Sequence, residues 1–321
     1  MNWRPSALPD SLQRRALLNA CARDFFARRG VLEVETPLLS VAAATDPQLS
    51  SLPVAAAPGE APRWLHTSPE FPMKRLLAAG SGPIYQITRV FRGGESGRWH
   101  NPEFTLLEWY RPGFGLAELM LELRDFIAAV AAPQGRPPPE AAIVSYSDLF
   151  LQEAGVEPLT AAAGDLQAAA ARLGLAAPAG LHAREDWLDL LLSLHIQPRL
   201  RGRGLLFVER WPAAQAALAR LCPDDPRAAC RFEAFLDGVE IANGFHELGD
   251  AAEQRRRFEA DNAARAARGL PPMPLDERLL MALETGLPDC SGVALGLDRL
   301  LMWLCGARHL DEVLAFPARL A

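Results

Sequence analysis

The apolar and polar positions of the chain change period several times, and each change marks an element. Over residues 11–29, Leu17, Cys21 and Phe25 recur at helical spacing. Asp10 or Ser11 can cap this helix and Gly30 can end it, so an amphipathic helix is expected. Residues 31–35 read as a strand stopped by Thr36-Pro37. Residues 49–62 are a Pro/Ala-rich loop and 64–66 a short strand. Ser68-Pro69-Glu70 then supplies a cap, a proline and an acid for the start of a helix. Residues 84–90 form an apolar strand ending on Arg92, followed by a loop of Gly, Ser and charged residues through His100, Asn101 and Pro102. A second strand runs from about 103 to 110. The pair reads as an antiparallel hairpin with a long polar tip. A period of two places Phe104, Leu106, Glu108 and Tyr110 on one face of its second strand.

Beyond the hairpin, residues 116–132 read as a helix and 131–142 as a Pro-rich loop. Residues 145–175 read as two short Ala-rich helical stretches, part of a helical insertion near 145–200 with no chemistry of its own. A helix over 185–195 turns Trp187, Leu190, Leu191 and Leu194 to a core; His182 and His195 read as structural or solvated. Residues 205–209 form a strand. Asp237-Gly238 is a strong two-residue turn signal. It opposes Leu236 with Val239 and Phe235 with Glu240. Glu233 then shares a face with Glu240, a diagonal step of roughly 7–8 Å away. Gly244, between Asn243 and Glu247, marks a bulge or a close approach to a ligand. Asp250 and Glu253 form a capping box for a helix running to Arg268 and ending at Gly269, whose Arg255-Arg256-Arg257 run reads as a solvated face. A helix over 276–284 follows. Residues 291–305 are a Gly-rich strand entering an apolar helix with Arg299 in its first turn. The expected fold is α+β, an antiparallel sheet flanked by helices in one domain over 1–321.

Composition narrows the function. The 321 residues are 50% hydrophobic and 22% charged, ordinary globular values. No apolar run can span a membrane, and the N-terminus lacks a signal-peptide core, so a cytoplasmic protein is expected. A net charge of −6 and a pI near 5.6 argue against a large nucleic-acid surface. The five cysteines form no CxxC pair and read as free thiols.

Several residue sets could carry chemistry. Glu108 and Tyr110 beside apolar neighbours suit a pocket for a small amine, and Arg92 at the loop mouth suits a phosphate, although a solvated surface hairpin fits the composition equally. Glu70 complements a helix dipole or binds an amino group, and can do both. Glu233 and Glu240 on one face repel unless a cation lies between them. Oxygen ligands of this kind suit Mg²⁺ bridging to nucleotide phosphates. Glycines before Arg299 let backbone pack against a planar ring, with the guanidinium free to stack or meet a phosphate.

The string FRGGESGRWHNPEFTLLEWY closely resembles motif 2 of class II aminoacyl-tRNA synthetases, in the lysyl-type form. GVLEVETP, with the helix before it, resembles motif 1, TSPEFPMKRL the lysyl-group substrate segment, and PDCSGVALGLDRL motif 3. Together the likeness covers nearly the whole chain. Motif 1 begins near residue 11, leaving no room for an anticodon-reading OB domain, and the second glycine of motif 3 is Ala294. In both respects the chain is similar to the elongation factor P–(R)-β-lysine ligase family, stand-alone lysyl-tRNA synthetase paralogues. The resemblance implies ATP-dependent activation of (R)-β-lysine or lysine as an acyl-adenylate, and transfer to a lysine ε-amino group of elongation factor P. It further implies Mg²⁺, a homodimer built through motif 1, and no stable tRNA binding.

Carried over residue by residue, Arg92 contacts the α-phosphate and the attacking carboxylate, and Arg299 the nucleotide phosphates. Gly93, Gly94, Glu95, Asn101, Glu240, Ile241 and Gly296 border ATP, while Glu233 and Glu240 hold the metal. Ser68, Pro69, Glu70, Glu108, Tyr110, Asn243, Glu247 and Ala294 form the amino-acid site. One departure stands out: motif 2 carries Gly94 where the family has an adenine-contacting Glu, so the adjacent Glu95 is the candidate for that contact. A truncated lysyl-tRNA synthetase, an inactive regulatory paralogue and a small-molecule amide ligase remain as alternatives.

Overall fold

A computed structural model describes residues 3–56, 58–178, 180–181 and 183–321; His182 lies outside the described residues. In chain order the strands are β1 (Leu32–Glu33), β2 (Leu39–Ser40), β3 (Pro53–Val54), β4 (Arg63–Leu65), β5 (Ile84–Phe91), β6 (Glu103–Pro112), β7 (Ala141–Ser145), β8 (Leu205–Pro212), β9 (Ala228–Leu236), β10 (Val239–His246) and β11 (Cys290–Gly296). Eight of them form one sheet in the order β1-β5-β6-β11-β10-β9-β8-β7, and β2-β4-β3 form a small second sheet. The six central strands of the large sheet pair antiparallel, as expected. Its two edges are parallel, β1 on β5 and β7 on β8. The sequence reading missed β7 because five residues leaving a Pro-rich loop carry little period of their own.

One face of the sheet is covered by helices Pro9–Ala27, Leu116–Ala131 and Leu297–Cys305. Phe25, Phe26, Leu123, Phe126 and Leu300 pack there against Leu107, Trp109, Phe232, Val293 and Leu295, all essentially buried. Buried Asp298 ties this layer together: its carboxylate accepts from the Thr105 N–H at 2.8 Å and pairs with Arg15. The first helix differs from expectation. Its buried face is Leu18, Ala22, Phe25 and Phe26, whereas Leu17 is exposed, and no side chain caps its start. A stripe of small and apolar residues shifted by one position fits the same spacing, so the sequence does not choose between the two faces.

The other face of the sheet is shared. The insertion, helices Tyr146–Ala154, Ala163–Arg172 and Arg184–Leu191, builds a second core on Leu206, Val208, Trp211 and Phe235. A π-turn over Leu192–Ile196 adds a residue to the last helix and rotates Leu194 out to 53% exposure; Leu188 is buried in its stead. His195 is buried, receiving Arg199 at Nδ1 over 2.9 Å. Asp250 caps helix Ala251–Ala267 through the Glu253 N–H, but Glu253 turns to Arg256 and Arg257 and does not close a capping box. Arg257 is no solvated residue: it donates to the carbonyls of Ala217 and Ala219. The middle of this face stays uncovered and forms the floor of a cavity.

Candidate active site

The cavity occupies about 1450 Å³ between the open sheet face, helices Glu70–Ala78 and Ala251–Ala267, and the insertion. That exceeds the ~300–1,000 Å³ of an ordinary small-molecule pocket. Strand register builds its floor in rows. Glu108, Ala294, Asn243 and Glu233 stand side by side across four strands, and Tyr110, Gly292, Phe245 and Arg231 form the next row. A β-bulge makes this possible. The Asp237-Gly238 turn opposes Leu236 with Val239 and Phe235 with Glu240, as expected, but the register then slips at Ile241. Ile241 and Ala242 both enter the core behind the sheet. Glu240 and Asn243, three residues apart, therefore share the cavity face, which simple alternation forbids. The bulge is at Ile241 and not at Gly244. Gly244 serves the opposite side, where an added Cβ would lie 2.4 Å from the ring of Phe232.

One end of the cavity is a buried cluster of acids. Glu108, 2% exposed, accepts hydroxyl hydrogens from Ser68 and Tyr110, both at 2.7 Å. Burial and then the charge of Glu70 push its carboxyl up to about 7, against the two hydroxyl hydrogen bonds. Glu247, also buried, is pushed up to about 8 by burial, with the attraction of Lys74 opposing. Lys74 Nζ lies 2.5 Å from Glu247 Oε2 and 2.7 Å from Glu70 Oε1. Burial works against the lysine's charge, but Glu247 and Glu70 outweigh it and raise its pKa. Glu247 Oε1 has no hydrogen-bond partner among the described residues. Gly292 makes room for the cluster: a Cβ there would lie 2.3 Å from Tyr110 and 2.8 Å from Glu247.

The other end is lined with arginines. Arg299 donates to the Glu240 carbonyl at 2.8 Å, to the Trp99 carbonyl at 3.1 Å and to His100 Nε2 at 2.8 Å, and pairs with the Glu240 carboxylate at 3.2 Å. Burial, then the charge of Arg299, lowers the pKa of His100 and keeps it a neutral acceptor. Arg92 stacks 5.0 Å over Phe104 and lies 3.8 Å from Glu95. Glu233 is pushed up to about 8 by burial and then by Glu240, with Arg231 at 2.5 Å opposing. These two carboxylates are an all-oxygen donor pair that a divalent cation would relieve, so they fit Mg²⁺. No third His, Cys, Asp or Glu completes a metal cluster among the described residues; the remaining ligands would be nucleotide oxygens and water.

Among the residues singled out from sequence, Ser68, Glu70, Arg92, Glu95, Asn101, Glu108, Tyr110, Glu233, Glu240, Ile241, Asn243, Glu247, Ala294, Gly296 and Arg299 line this one cavity. Pro69, Gly93 and Gly94 do not line it. Pro69 precedes the first turn of its helix. Gly93 packs on Ser50, to whose carbonyl its N–H donates at 2.7 Å, and Gly94 makes a turn at φ +78°. Asn101 is held by backbone at both ends of its amide, by Glu103 O at 2.6 Å and the Ala318 N–H at 2.9 Å. Sequence reasoning missed Lys74, although its i,i+4 spacing after Glu70 on a helix was a usable signal. It also missed Arg231, which bridges Glu233, Asn243 and the Gln215 carbonyl. The insertion, expected to be inert, lines the cavity with Glu185, Asp189, Ser193 and Gln197.

The floor of the cavity thus presents an acid cluster at one end and Arg92 and Arg299 at the other. Residues 1–320 match the family described as tRNA synthetases class II (D, K and N). The chain is 48% identical to a Vibrio vulnificus (strain YJ016) protein named elongation factor P--(R)-beta-lysine ligase, over 100% of this chain and 99% of that one. It is 49% identical to the protein of that name from Edwardsiella ictaluri (strain 93-146), over 98% and 97%. The chain belongs to the family of these ligases, within the class II synthetases.

Proposed function

We propose that the protein activates (R)-β-lysine with ATP as an acyl-adenylate and transfers the acyl group to a lysine ε-amino group of elongation factor P. The observation that carries this reading is the charge of the amine end. Glu70, Glu108 and Glu247 are three acids and Lys74 is one base; Glu108, Glu247 and Lys74 are buried and Glu70 is partly so. With all three acids ionised their formal sum is −2; in the empty site burial lets Glu108 and Glu247 hold protons near neutral pH, and the two ammonium groups of a diamino acid would displace them. A monoamino acid would leave a buried charge uncompensated, a costly outcome in low dielectric. The unpartnered Glu247 Oε1 is a ready acceptor for one ammonium hydrogen.

With its amino groups held at this end, the substrate carboxylate extends along β6 from Glu108 toward Phe104, where Arg92 stacks, and toward Arg299 beside Glu240. These guanidiniums are anchored before substrate arrives, Arg299 by two carbonyls and Arg92 by the Thr67 carbonyl at 3.4 Å. They are thus preorganised for the charge that builds on the α-phosphoryl oxygens as the carboxylate displaces pyrophosphate. No side-chain nucleophile is required, because the substrate supplies it and the site supplies orientation. Glu233 and Glu240 would hold Mg²⁺, which supplies charge neutralisation for the phosphates when bound. The acceptor amine then attacks the acyl carbonyl and AMP leaves.

We also infer a homodimer. Leu12 and Leu17 on the first helix, Leu8 just before it, Leu32 and Leu39 on β1 and β2 and Val41 just after β2 are all at least 38% exposed, an apolar set that favours a covering partner. No helix among the described residues is long and apolar enough to cross a membrane. The functional test is ATP–pyrophosphate exchange with α- and β-lysine, followed by mass analysis of elongation factor P. Exchange with β-lysine and one added lysyl group on the factor are expected. Exchange with neither isomer, or transfer to tRNA alone, would overturn the reading.

A further inference from the structure

Lys74 is buried like the core, at 1% exposure, and does not itself line the cavity, yet its ammonium meets two acids that do. A buried lysine is costly to keep unless its partners repay desolvation, and a hydrophobic residue of similar length would pack as well. Its two partners are both acids of the amine pocket. Glu70 is one helical turn earlier on the same helix, and Glu247 follows β10 on the opposite wall. Lys74 pairs with Glu247 at Oε2 and leaves Oε1 with neither an ion-pair nor a hydrogen-bond partner among the described residues. Glu108, the third acid, is held by hydroxyls and has no cation of its own.

We infer that Lys74 is a positioning and specificity-determining residue: its fixed positive charge sets the formal charge of the amine pocket at −2 and aims Glu247 at one ammonium group of a diamino-acid substrate. This rests on the reading that the substrate is a diamino acid. Without Lys74 the pocket would hold three acids and no base. Glu108 and Glu247, which burial already raises to about 7 and about 8 against the pull of Lys74, would then keep their protons to still higher pH, and substrate ammonium would have to displace them to bind. The ionisable groups facing Lys74 and its partners are Glu70 on its own helix, Glu108 and Tyr110 on β6, Cys290 on β11, and Arg220, whose Nε meets the Glu247 carbonyl at 3.3 Å. Cys290 and Tyr110 are both raised by burial and stay neutral at physiological pH. Arg220 touches the main chain of Glu247, so Lys74 is the cation on the carboxylates themselves.

The test is the pH profile of β-lysine-dependent pyrophosphate exchange in the wild type, Lys74→Met and Lys74→Gln. Methionine removes charge and hydrogen bonds at similar length; glutamine keeps a donor and removes the charge. An opposite charge within this range moves a carboxyl by about 1–3 pH units. Both variants are therefore expected to move the acid limb of kcat/KM upward by about 1–3 pH units, mostly through KM, with KM for ATP little changed. Thermal unfolding confirms that each variant is folded; should Lys74→Met not fold, Lys74→Gln carries the test. A profile superimposable on the wild type in either folded variant, or a uniform loss of kcat at every pH, would overturn the inference. Absence of exchange with any diamino acid in the wild type would instead defeat the substrate reading on which it rests.

Discussion

Gly292→Ala tests how tightly the floor of the amine pocket is built. A Cβ at this position would lie 2.3 and 2.4 Å from two ring carbons of Tyr110 and 2.8 Å from Glu247 Oε1. Carbon atoms in contact sit about 3.5–4.0 Å apart, so the ring must retreat by roughly 1 Å or more. Tyr110 is 2% exposed and cannot swing into solvent. Its hydroxyl is fixed 2.7 Å from Glu108, and a shift of that size breaks the bond. Overpacking of this kind costs about 1–3 kcal/mol, and a lost hydrogen bond to a charged group about 1.5–3 kcal/mol more. At about 1.5 °C per kcal/mol for a chain of this size, the melting temperature should fall by roughly 4–9 °C. The misplaced pocket should lose about a hundredfold in kcat/KM for the amino acid, with KM for ATP within a few-fold of the wild type. The assays are thermal unfolding and pyrophosphate exchange. Gly164→Ala is the control, since nothing lies within 4 Å of its added Cβ and its backbone is helical; it should be neutral or stabilise by about 0.5–1 kcal/mol. A Gly292→Ala enzyme with unchanged melting temperature and exchange within threefold (about 0.7 kcal/mol) of wild type would refute the argument.

Other outcomes follow from the same geometry. In the unfolded chain Glu233 ionises near pH ~4.3, whereas in the fold it keeps its proton to about 8. Between those values the unfolded state loses its proton first, so stability falls as the pH rises. Glu233→Gln should flatten this slope, and melting curves of the two proteins that stay parallel across the range would show the site is not desolvated. Glu95→Ala should raise KM for ATP several-fold; no rise would assign adenine recognition elsewhere. Leu32 is 57% exposed within the apolar run around motif 1, so Leu32→Asp should yield monomers by light scattering. A wild type that is already monomeric at micromolar concentration would remove the dimer proposal.

Local chemistry determined much of this protein. The Asp237-Gly238 turn fixed the pairing of Leu236 with Val239 because a two-residue turn leaves one register open. Alternation along β6 placed Phe104, Leu106, Glu108 and Tyr110 on one cavity wall because a strand's side-chain period does not depend on its partners. The motif strings carried the family, since glycines and arginines at those spacings meet the demands of one site. What lay beyond reach was every feature set by contact between distant segments. The slip at Ile241 depends on how β9 and the helices behind it accommodate two consecutive core residues, and only that slip unites Glu240 with Asn243. The role of Lys74 is decided by Glu247, 173 positions further along the chain. The insertion, weakly patterned by itself, becomes a cavity wall because β7 joins the sheet edge and holds it over β8 and β9. A residue's period and its neighbours fix the face it takes on its own element. Which other element that face meets is settled by long-range packing, and the charge of the pocket is a property of that meeting.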